Sequence, residues 1–239
     1  MVSAHDAPDG QPNLRFRCSH AIPELLEEPM NTSRRTAGLG LLAYAIGTPV
    51  AFMSIGAPGG DYDDSIVTDF ISSGHRVTAI ALAYLGAFAA LGLLPFAARM
   101  RSELRSGGDV FWSLSVAGVS AAVIGWFLVG GIPVVFAEGG TAMAGLPHDV
   151  VYALSEMSIL VAVCASSFLV GAAAVVLAVR APLPGAIRAI TVVGGFAGLV
   201  AGLFFPVFLF WLSIIVLGGW TLASGTRAPA QIRAQHQPA

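Results

Sequence analysis

The 239-residue chain contains no lysine, and charged residues make up only 11% of it, against a hydrophobic share of 56%. Soluble domains carry about 25% charged residues, so most of the surface of this protein must face something other than water. The formal net charge is −2 and no basic tract occurs, all twelve basic residues being arginine. We therefore expect no nucleic-acid partner.

Cysteine and catalytic motifs are also scarce. Cys18 lies in the polar N-terminal part, Cys164 lies within an apolar run, and no C-x-x-C pair occurs, which argues against a disulfide framework and a thiol-redox motif. The chain lacks a G-x-S-x-G elbow, a P-loop and a dinucleotide fingerprint. It also lacks a mid-span pair of histidines that could hold a haem. We expect no cofactor and favour a non-enzymatic protein.

Long uncharged runs dominate what the chain does contain. Five stretches have no Asp, Glu, Arg or His: 36–60, 77–98, 110–137, 157–179 and 189–226. A helix needs about 20 apolar residues to cross ~30 Å of hydrocarbon, so each of the first four fits one span. The last run would reach about 57 Å as one helix. We expect it to reverse at Pro206, giving spans near 188–205 and 207–224; a single kinked helix is the alternative.

The arginines are distributed unevenly along a six-span chain. One side of the membrane would carry Arg15, Arg17, Arg34, Arg35, Arg99, Arg101, Arg105, Arg180, Arg188, Arg227 and Arg233. The other side would carry Arg76 with Asp61, Asp63, Asp64, Asp69, Glu138 and Asp149. Because basic residues stay cytoplasmic, the pattern predicts a multi-pass protein of the bacterial cytoplasmic membrane with both termini inside. Five spans would spoil the pattern.

The chain divides into three segments. Residues 36–224 are predicted to form an all-α, six-helix transmembrane bundle. Residues 1–35 and 225–239 are predicted to be disordered cytoplasmic tails, and we expect no signal peptide before the first span. Alternatively the natural start is Met30, because "MNTSRRTAGLGLLAYAIG" has the form of a short polar stub leading into a span.

Small residues line one face of the predicted fifth span. Gly194, Gly198 and Gly202 recur at four-residue spacing. Since lipid tails are as apolar as leucine, helices in a membrane associate through close packing of small residues. We expect this ridge to pack against another helix of the same bundle; the interface of a homo-oligomer is the alternative.

An acidic residue lies inside the predicted fourth span. Glu156 is about seven residues, or ~10 Å, from the end of the span, and Asp149 and Tyr152 share its helical face. A carboxylate at the centre of a membrane helix costs roughly 2.5–3.5 kcal/mol. We therefore expect Glu156 to turn inward and bond to His75 or Arg76, which open the second span on the same side.

The polar cluster of Glu156, Arg76, His75, Tyr152 and Asp149 has two open interpretations. It could clamp the second span to the fourth, or it could handle protons or a ligand at the mouth of the bundle. A third interpretation adds His148 and Asp69 to make a metal site. No H-E-x-x-H or comparable spacing supports it, so we expect no metal.

Four segments carry a family resemblance: "GGDYDDSIVTDFISSGHR", "LPFAARMRSELR", "APLPGAIRAITVVGGFAGLV" and "FPVFLFWLSIIVLGGWTL". Together, across residues 36–224, they resemble uncharacterised six-span integral membrane proteins with a domain of unknown function that abound in high-GC bacteria. The resemblance implies the fold and the membrane location and assigns no functional residue.

The sequence thus predicts an integral membrane protein with a structural, sensory or accessory role. Its surroundings are the lipid bilayer, and its candidate partners are a second copy of the chain or another membrane protein. A small proton-coupled transporter using Glu156 is the alternative, and a membrane-embedded metal-dependent hydrolase ranks third.

Overall fold

The computed structural model describes residues 24–58, 62–72, 74–104, 106–143 and 145–235, and these residues form helices and contain no strand. The helices are α1 (Glu24–Ser54), α2 (Asp64–Phe70), α3 (Arg76–Leu91), α4 (Leu93–Glu103), α5 (Gly108–Met143), α6 (His148–Ile159), α7 (Ser166–Arg180), α8 (Gly185–Leu199) and α9 (Pro206–Gln235). A π-helical segment (Leu160–Ala165) joins α6 to α7, and a 3₁₀ turn (Ala201–Leu203) follows α8. The predicted all-α class is confirmed.

Within the described residues, five helical stretches are long and apolar enough to cross a membrane. They are Arg34–Ser54, Arg76–Glu103, Gly108–Gly140, His148–Arg180 and Pro206–Ser224. Helix α8 has 15 residues and is about 22 Å long, which is shorter than a ~30 Å hydrocarbon core. The long stretches follow the uncharged runs of the sequence, and a sixth span depends on α8.

The last uncharged run reverses where its proline predicts. Helix α8 ends at Leu199, Phe204 has a φ of 67°, and α9 begins at Pro206. Proline is well tolerated in the first turn of a helix, because the backbone N–H group that it lacks would have no partner within the helix there. Helices α8 and α9 then pack against each other, with Gly198 close to Phe210. The predicted reversal is confirmed.

Helix α5 forms the middle of the bundle. It packs against α3 and α4 on one side and against α6, the π-helical segment and α7 on the other. Glycines permit both approaches, because a Cβ atom at Gly130 would overlap Ala83 of α3, and one at Gly125 would overlap Ala162. Helix α5 therefore lies between α3 and α6, a placement that decides which polar residues can meet.

Large aromatic side chains fill the spaces between these crossings. Trp126, Tyr44 and Phe210 are fully buried. The indole of Trp126 lies where a side chain on Gly86 of α3 would be. The rings of Tyr44 and Phe210 meet edge to face, with centroids 6.5 Å apart. Small residues at the crossings and large rings between them fill the interior, and among the described residues no charged side chain is buried there.

The expected glycine ridge has two buried members. Gly194 and Gly198 are buried in α8, where Gly194 faces α9 and Gly198 lies against Gly171 of α7. Gly202 does not share this face, since it is exposed and has no heavy atom within 4 Å of where a Cβ would lie. The physical reason is that α8 ends at Leu199, which breaks the four-residue register.

The predicted tails are partly described. Residues 1–23 and 236–239 lie outside the described residues. Helix α1 begins at Glu24 and α9 ends at Gln235, so both helices extend into the segments expected to be tails. The division into tails and a membrane domain, and the start at Met30, stay predictions.

Candidate functional site

Charged side chains lie in two groups. The long helices run from one group to the other, so the two groups lie at opposite ends of the bundle. The arginine end carries Arg34, Arg35, Arg99, Arg101, Arg180 and Arg188, with Glu103 and Asp109. The acidic end carries Asp63, Asp64, Asp69, Glu138 and Asp149, with His75, Arg76 and His148. The residues that the sequence singled out lie at the acidic end.

Helix α2, at the acidic end, begins with an N-cap. Oδ1 of Asp63 accepts hydrogen bonds from the Ser65 hydroxyl at 2.7 Å and from the Ser65 backbone N–H at 2.8 Å. Capping of this kind satisfies a backbone donor that the first turn of a helix leaves free. The same two bonds hold the pKa of Asp63 below its usual value. Asp63 and Ser65 therefore form an ordered start of α2.

Asp64 joins α2 to α6. Its Oδ1 lies 2.5 Å from Nδ1 of His148, the first residue of α6, and accepts a hydrogen bond of 3.1 Å from the Tyr62 hydroxyl. The bond to His148, followed by the bond from Tyr62, lowers the pKa of Asp64. Because the Asp64 side chain is 66% exposed and that of His148 is 33% exposed, water screens the pair.

Two tyrosines connect this pair with the carboxylate of the fourth span. The rings of Tyr62 and Tyr152 meet edge to face, with centroids 5.4 Å apart. The Tyr152 hydroxyl donates a long hydrogen bond of 3.4 Å to Oε1 of Glu156, which is half-buried. We call Tyr62, Asp64, His148, Tyr152 and Glu156 the acidic-end network. It leads from α2 along two turns of α6.

His75 and Arg76 take partners other than the expected one. Nη1 of Arg76 lies 4.0 Å from Oε1 of Glu138, with both side chains exposed, and Nε2 of His75 lies 2.8 Å from the Ile55 carbonyl oxygen. In the described part of the chain, neither His75 nor Arg76 is paired with Glu156. The expected direct bond needs this correction, and its cause is the position of α5 between α3 and α6.

The five residues of the predicted cluster are thus divided between two places. Tyr152 and Glu156 are bonded to each other, and Asp149 accepts a hydrogen bond from the Val150 backbone N–H at 3.0 Å in the first turn of α6. His75 and Arg76 lie at the start of α3. Whether the α6 residues act as a structural clamp or handle protons stays a prediction.

Sequence reasoning missed the link between α2 and α6. Asp64 was counted only among the carboxylates on the side of Arg76, and neither Asp64 nor Tyr62 was placed in the predicted cluster. The available signal was topological, since His148 follows Pro147 at a helix start that the predicted topology places at the same end of the bundle as Asp64. A histidine in one loop can bond to an aspartate in another loop when the helices bring the two loops together.

The acidic-end network offers proton donors and acceptors, namely imidazole, phenol and carboxylate groups. Among the described residues, no group of three or more His, Cys, Asp or Glu side chains is arranged to hold a metal ion. Asp61, another member of the acidic loop, lies outside the described residues.

A second unusual feature lies deeper in the fourth span. The π-helical segment spans Leu160–Ala165. Directly after it, the Ser166 hydroxyl donates hydrogen bonds back to two carbonyl oxygens of the segment, to that of Ala162 at 2.7 Å and to that of Val163 at 3.2 Å. Side-chain bonding of this kind competes with the backbone hydrogen bonds of the helix, and π-helical turns occur frequently at functional sites.

Four buried polar atoms have no hydrogen-bond partner among the described groups: Oη of Tyr44, Oγ1 of Thr48, Nε1 of Trp126 and Nε1 of Trp211.

The fold defines a class, a helical protein with several apolar helices of membrane-crossing length. Comparison with known proteins goes no further, since no family model, no curated protein and no solved structure matches the chain. Membership of the six-span family that the sequence resembles stays a prediction.

Proposed function

We propose that this chain is a six-span protein of the bacterial cytoplasmic membrane, with both termini in the cytoplasm and a non-enzymatic sensory or accessory role. The observation that carries the proposal is the separation of charge between the two ends of the bundle. Arginines concentrate at one end and carboxylates at the other, and basic residues stay on the cytoplasmic side. The acidic-end network then faces the exterior, where an external signal would reach it first.

The span count is supported by the α8–α9 hairpin. Helix α8 and the 3₁₀ turn after it together comprise 18 residues, 15 plus three. They extend about 28 Å, close to the ~30 Å of the hydrocarbon core. Helix α9 returns the chain to the arginine end. An even number of spans keeps both termini on one side.

Close contacts between helix backbones in the described core support a role that does not involve passing a substrate through the bundle. Carbonyl oxygens and glycines meet directly where α1 crosses the α3–α4 junction at Gly40 and Gly92, and where α7 crosses α8 at Gly171 and Gly198. Packed interiors of this kind transmit small displacements from one end of a helix to the other. A signal at the acidic end would therefore reach the arginine end through rigid helices.

Cysteine labelling tests the orientation and the number of spans. In a chain with Cys18 and Cys164 replaced by serine, single cysteines at Tyr62 and Gly145 should react with an impermeant maleimide on intact cells. Cysteines at Ser106 and Gly185 should react only after lysis. Exterior labelling of a cysteine at position 230 would overturn the six-span proposal.

A proton-coupled transporter is the second candidate, favoured by the position of Glu156. The carboxylate belongs to the acidic-end network and lies one turn before the π-helical segment. Under this alternative, Glu156→Gln abolishes proton flux into proteoliposomes while thermal stability is kept, and the exposed Glu138→Gln control retains the flux. Flux no greater than in protein-free vesicles supports the non-transporting role.

A further inference from the structure

A cavity of about 130 Å³ lies at the arginine end, where α1, α4, α7 and α9 converge. It belongs neither to the acidic-end network nor to the π-helical segment. Helix α1 contributes Arg34, helix α4 contributes Arg99 and Glu103, and helix α9 contributes Trp220. The cavity is therefore built from side chains far apart in sequence, at the bundle end that the charge pattern places in the cytoplasm.

The charged lining of this cavity is net positive. Two guanidinium groups and one carboxylate leave a charge of +1, counted as two minus one. Arg99 is held in place by an ion pair with Glu103 one turn away, and its side chain is only 10% exposed. Arg34 is exposed. A fixed, nearly buried guanidinium beside an exposed one is an arrangement that binds an anionic group.

The remaining lining is apolar. Phe96 of α4, Leu177 of α7, and Leu217 and Trp220 of α9 form most of the wall. A free inorganic anion gains nothing from such a wall, whereas an amphiphile gains from both parts. Tryptophan is enriched at the boundary between hydrocarbon and headgroups, and basic pockets between spans on the cytoplasmic side bind anionic headgroups.

We propose that this cavity binds the phosphate headgroup region of an anionic phospholipid. A volume of about 130 Å³ is several times the ~10–15 Å³ that one water molecule needs on the same measure. It therefore admits a phosphate and part of its glycerol, while the acyl chains lie along the apolar outer faces of the helices. Arg34 and Arg99 hold the phosphate, and the Trp220 ring covers the glycerol and the first methylenes.

Lipid titration of the purified full-length protein in mild detergent tests the proposal. Phosphatidylglycerol should raise the thermal unfolding midpoint in a saturable way, because a ligand that binds only the folded state stabilises it. Phosphatidylcholine and inorganic phosphate, at equal concentrations, should leave the midpoint unchanged. Arg34→Gln should weaken the apparent affinity for phosphatidylglycerol about fivefold.

Two matched controls separate a built site from diffuse attraction. Arg35→Gln removes an exposed neighbouring charge outside the lining and should keep the wild-type affinity. Trp220→Leu should weaken binding of phosphatidylglycerol, whereas Trp112→Leu, a tryptophan at the same end but outside the cavity, should not.

Three results would overturn the lipid site. Equal stabilisation by phosphatidylcholine would remove the need for the charge, and stabilisation by inorganic phosphate alone would assign the cavity to a free anion. An equal loss in Arg34→Gln and Arg35→Gln would show a general surface effect. The inference rests on the proposed membrane location, but the titration does not depend on orientation, so its failure and that of the labelling experiment are separable.

Discussion

The crossing of α7 with α8 and the acidic-end network are two contacts of opposite kind. At the crossing, a Cβ on Gly198 would lie 2.7 Å from the Ser167 carbonyl oxygen and 2.9 Å from Cα of Gly171, so backbone meets backbone. At the acidic end, α2 meets α6 through the exposed side chain of Asp64 and the partly exposed side chain of His148. The first contact leaves no room for an added atom, and the second is open to water and to titration.

This difference assigns stability to the middle of the bundle and responsiveness to its end. Backbone contacts in a membrane interior depend on small residues and are lost when a larger side chain separates the helices. Exposed ion pairs are worth little and depend on pH and salt. A sensory role would use the acidic end because it can change without unfolding the bundle.

The largest predicted effect is that of Gly198→Leu. The new side chain would overlap the backbone of α7, which cannot move aside as a flexible side chain can. We expect a loss of about 3 kcal/mol or more in the free energy of unfolding, measured as a lowered thermal midpoint in detergent.

Gly202→Leu is the matched control for this prediction. It makes the same chemical change four residues later, at a site with nothing within 4 Å. We expect its effect to stay within about 0.5 kcal/mol. Equal losses in the two variants would show that the α7–α8 crossing does not depend on backbone contact.

A second prediction concerns a buried hydroxyl on the same, rigid side of the comparison. Tyr44 is fully buried, and its hydroxyl lies beside the hydroxyls of Ser166 and Ser167 without a hydrogen bond of good geometry to either. A buried polar group without a partner is destabilising, so Tyr44→Phe should raise the free energy of unfolding by about 1 kcal/mol, seen as a higher thermal midpoint. A lower midpoint would show that the hydroxyl is bonded in the native protein.

Local chemistry explains which parts of this fold could be predicted from the sequence. The uncharged runs marked the long helices because hydropathy is a property of each segment by itself. The reversal at Pro206 was predictable because proline constrains its own backbone. Gly202 was wrongly predicted to share a face with Gly194 and Gly198, because that prediction took α8 to continue past Leu199.

The partners of Glu156 could not be predicted in the same way. His75 and Arg76 begin α3 at the same end of the bundle as Glu156, and the predicted topology alone allowed them to meet. The order of helices around the bundle decides the outcome, and that order depends on packing at Gly125 and Gly130 of α5. No local pattern reveals it.

A third, smaller effect is expected at the junction of the two regions, in the bond from Tyr152 to Glu156. Glu156→Leu should cost about 0.6 kcal/mol, the average for hydrogen bonds within membrane bundles. Glu156→Gln should cost less, because an amide oxygen still accepts. In double-mutant cycles of thermal stability, Glu156→Leu should couple to Tyr152→Phe.

The same cycle made with Arg76→Leu distinguishes this arrangement from a direct clamp. Arg76 lies beside Glu138, so the two losses should add to within about 0.5 kcal/mol. A coupling clearly above that value would mean that Arg76 and Glu156 do act as a pair, as the sequence first indicated.

The smallest predicted effect is a pH dependence at the acidic end. Because the folded pKa of Asp64 lies below its ordinary value of 3.8, its bond to His148 stabilises the docking of α2 above that pH. The stabilisation is lost as the pH falls through the lowered pKa, where Asp64 becomes neutral.

Spin labels at Ile66 of α2 and Ala153 of α6 should give a narrow distance distribution at pH 7 that broadens below about pH 4. Asp64→Asn should be broad at both pH values, whereas Asp69→Asn should behave like the wild type. Broadening that begins above pH 6 would instead assign the change to a histidine and contradict the role given to Asp64.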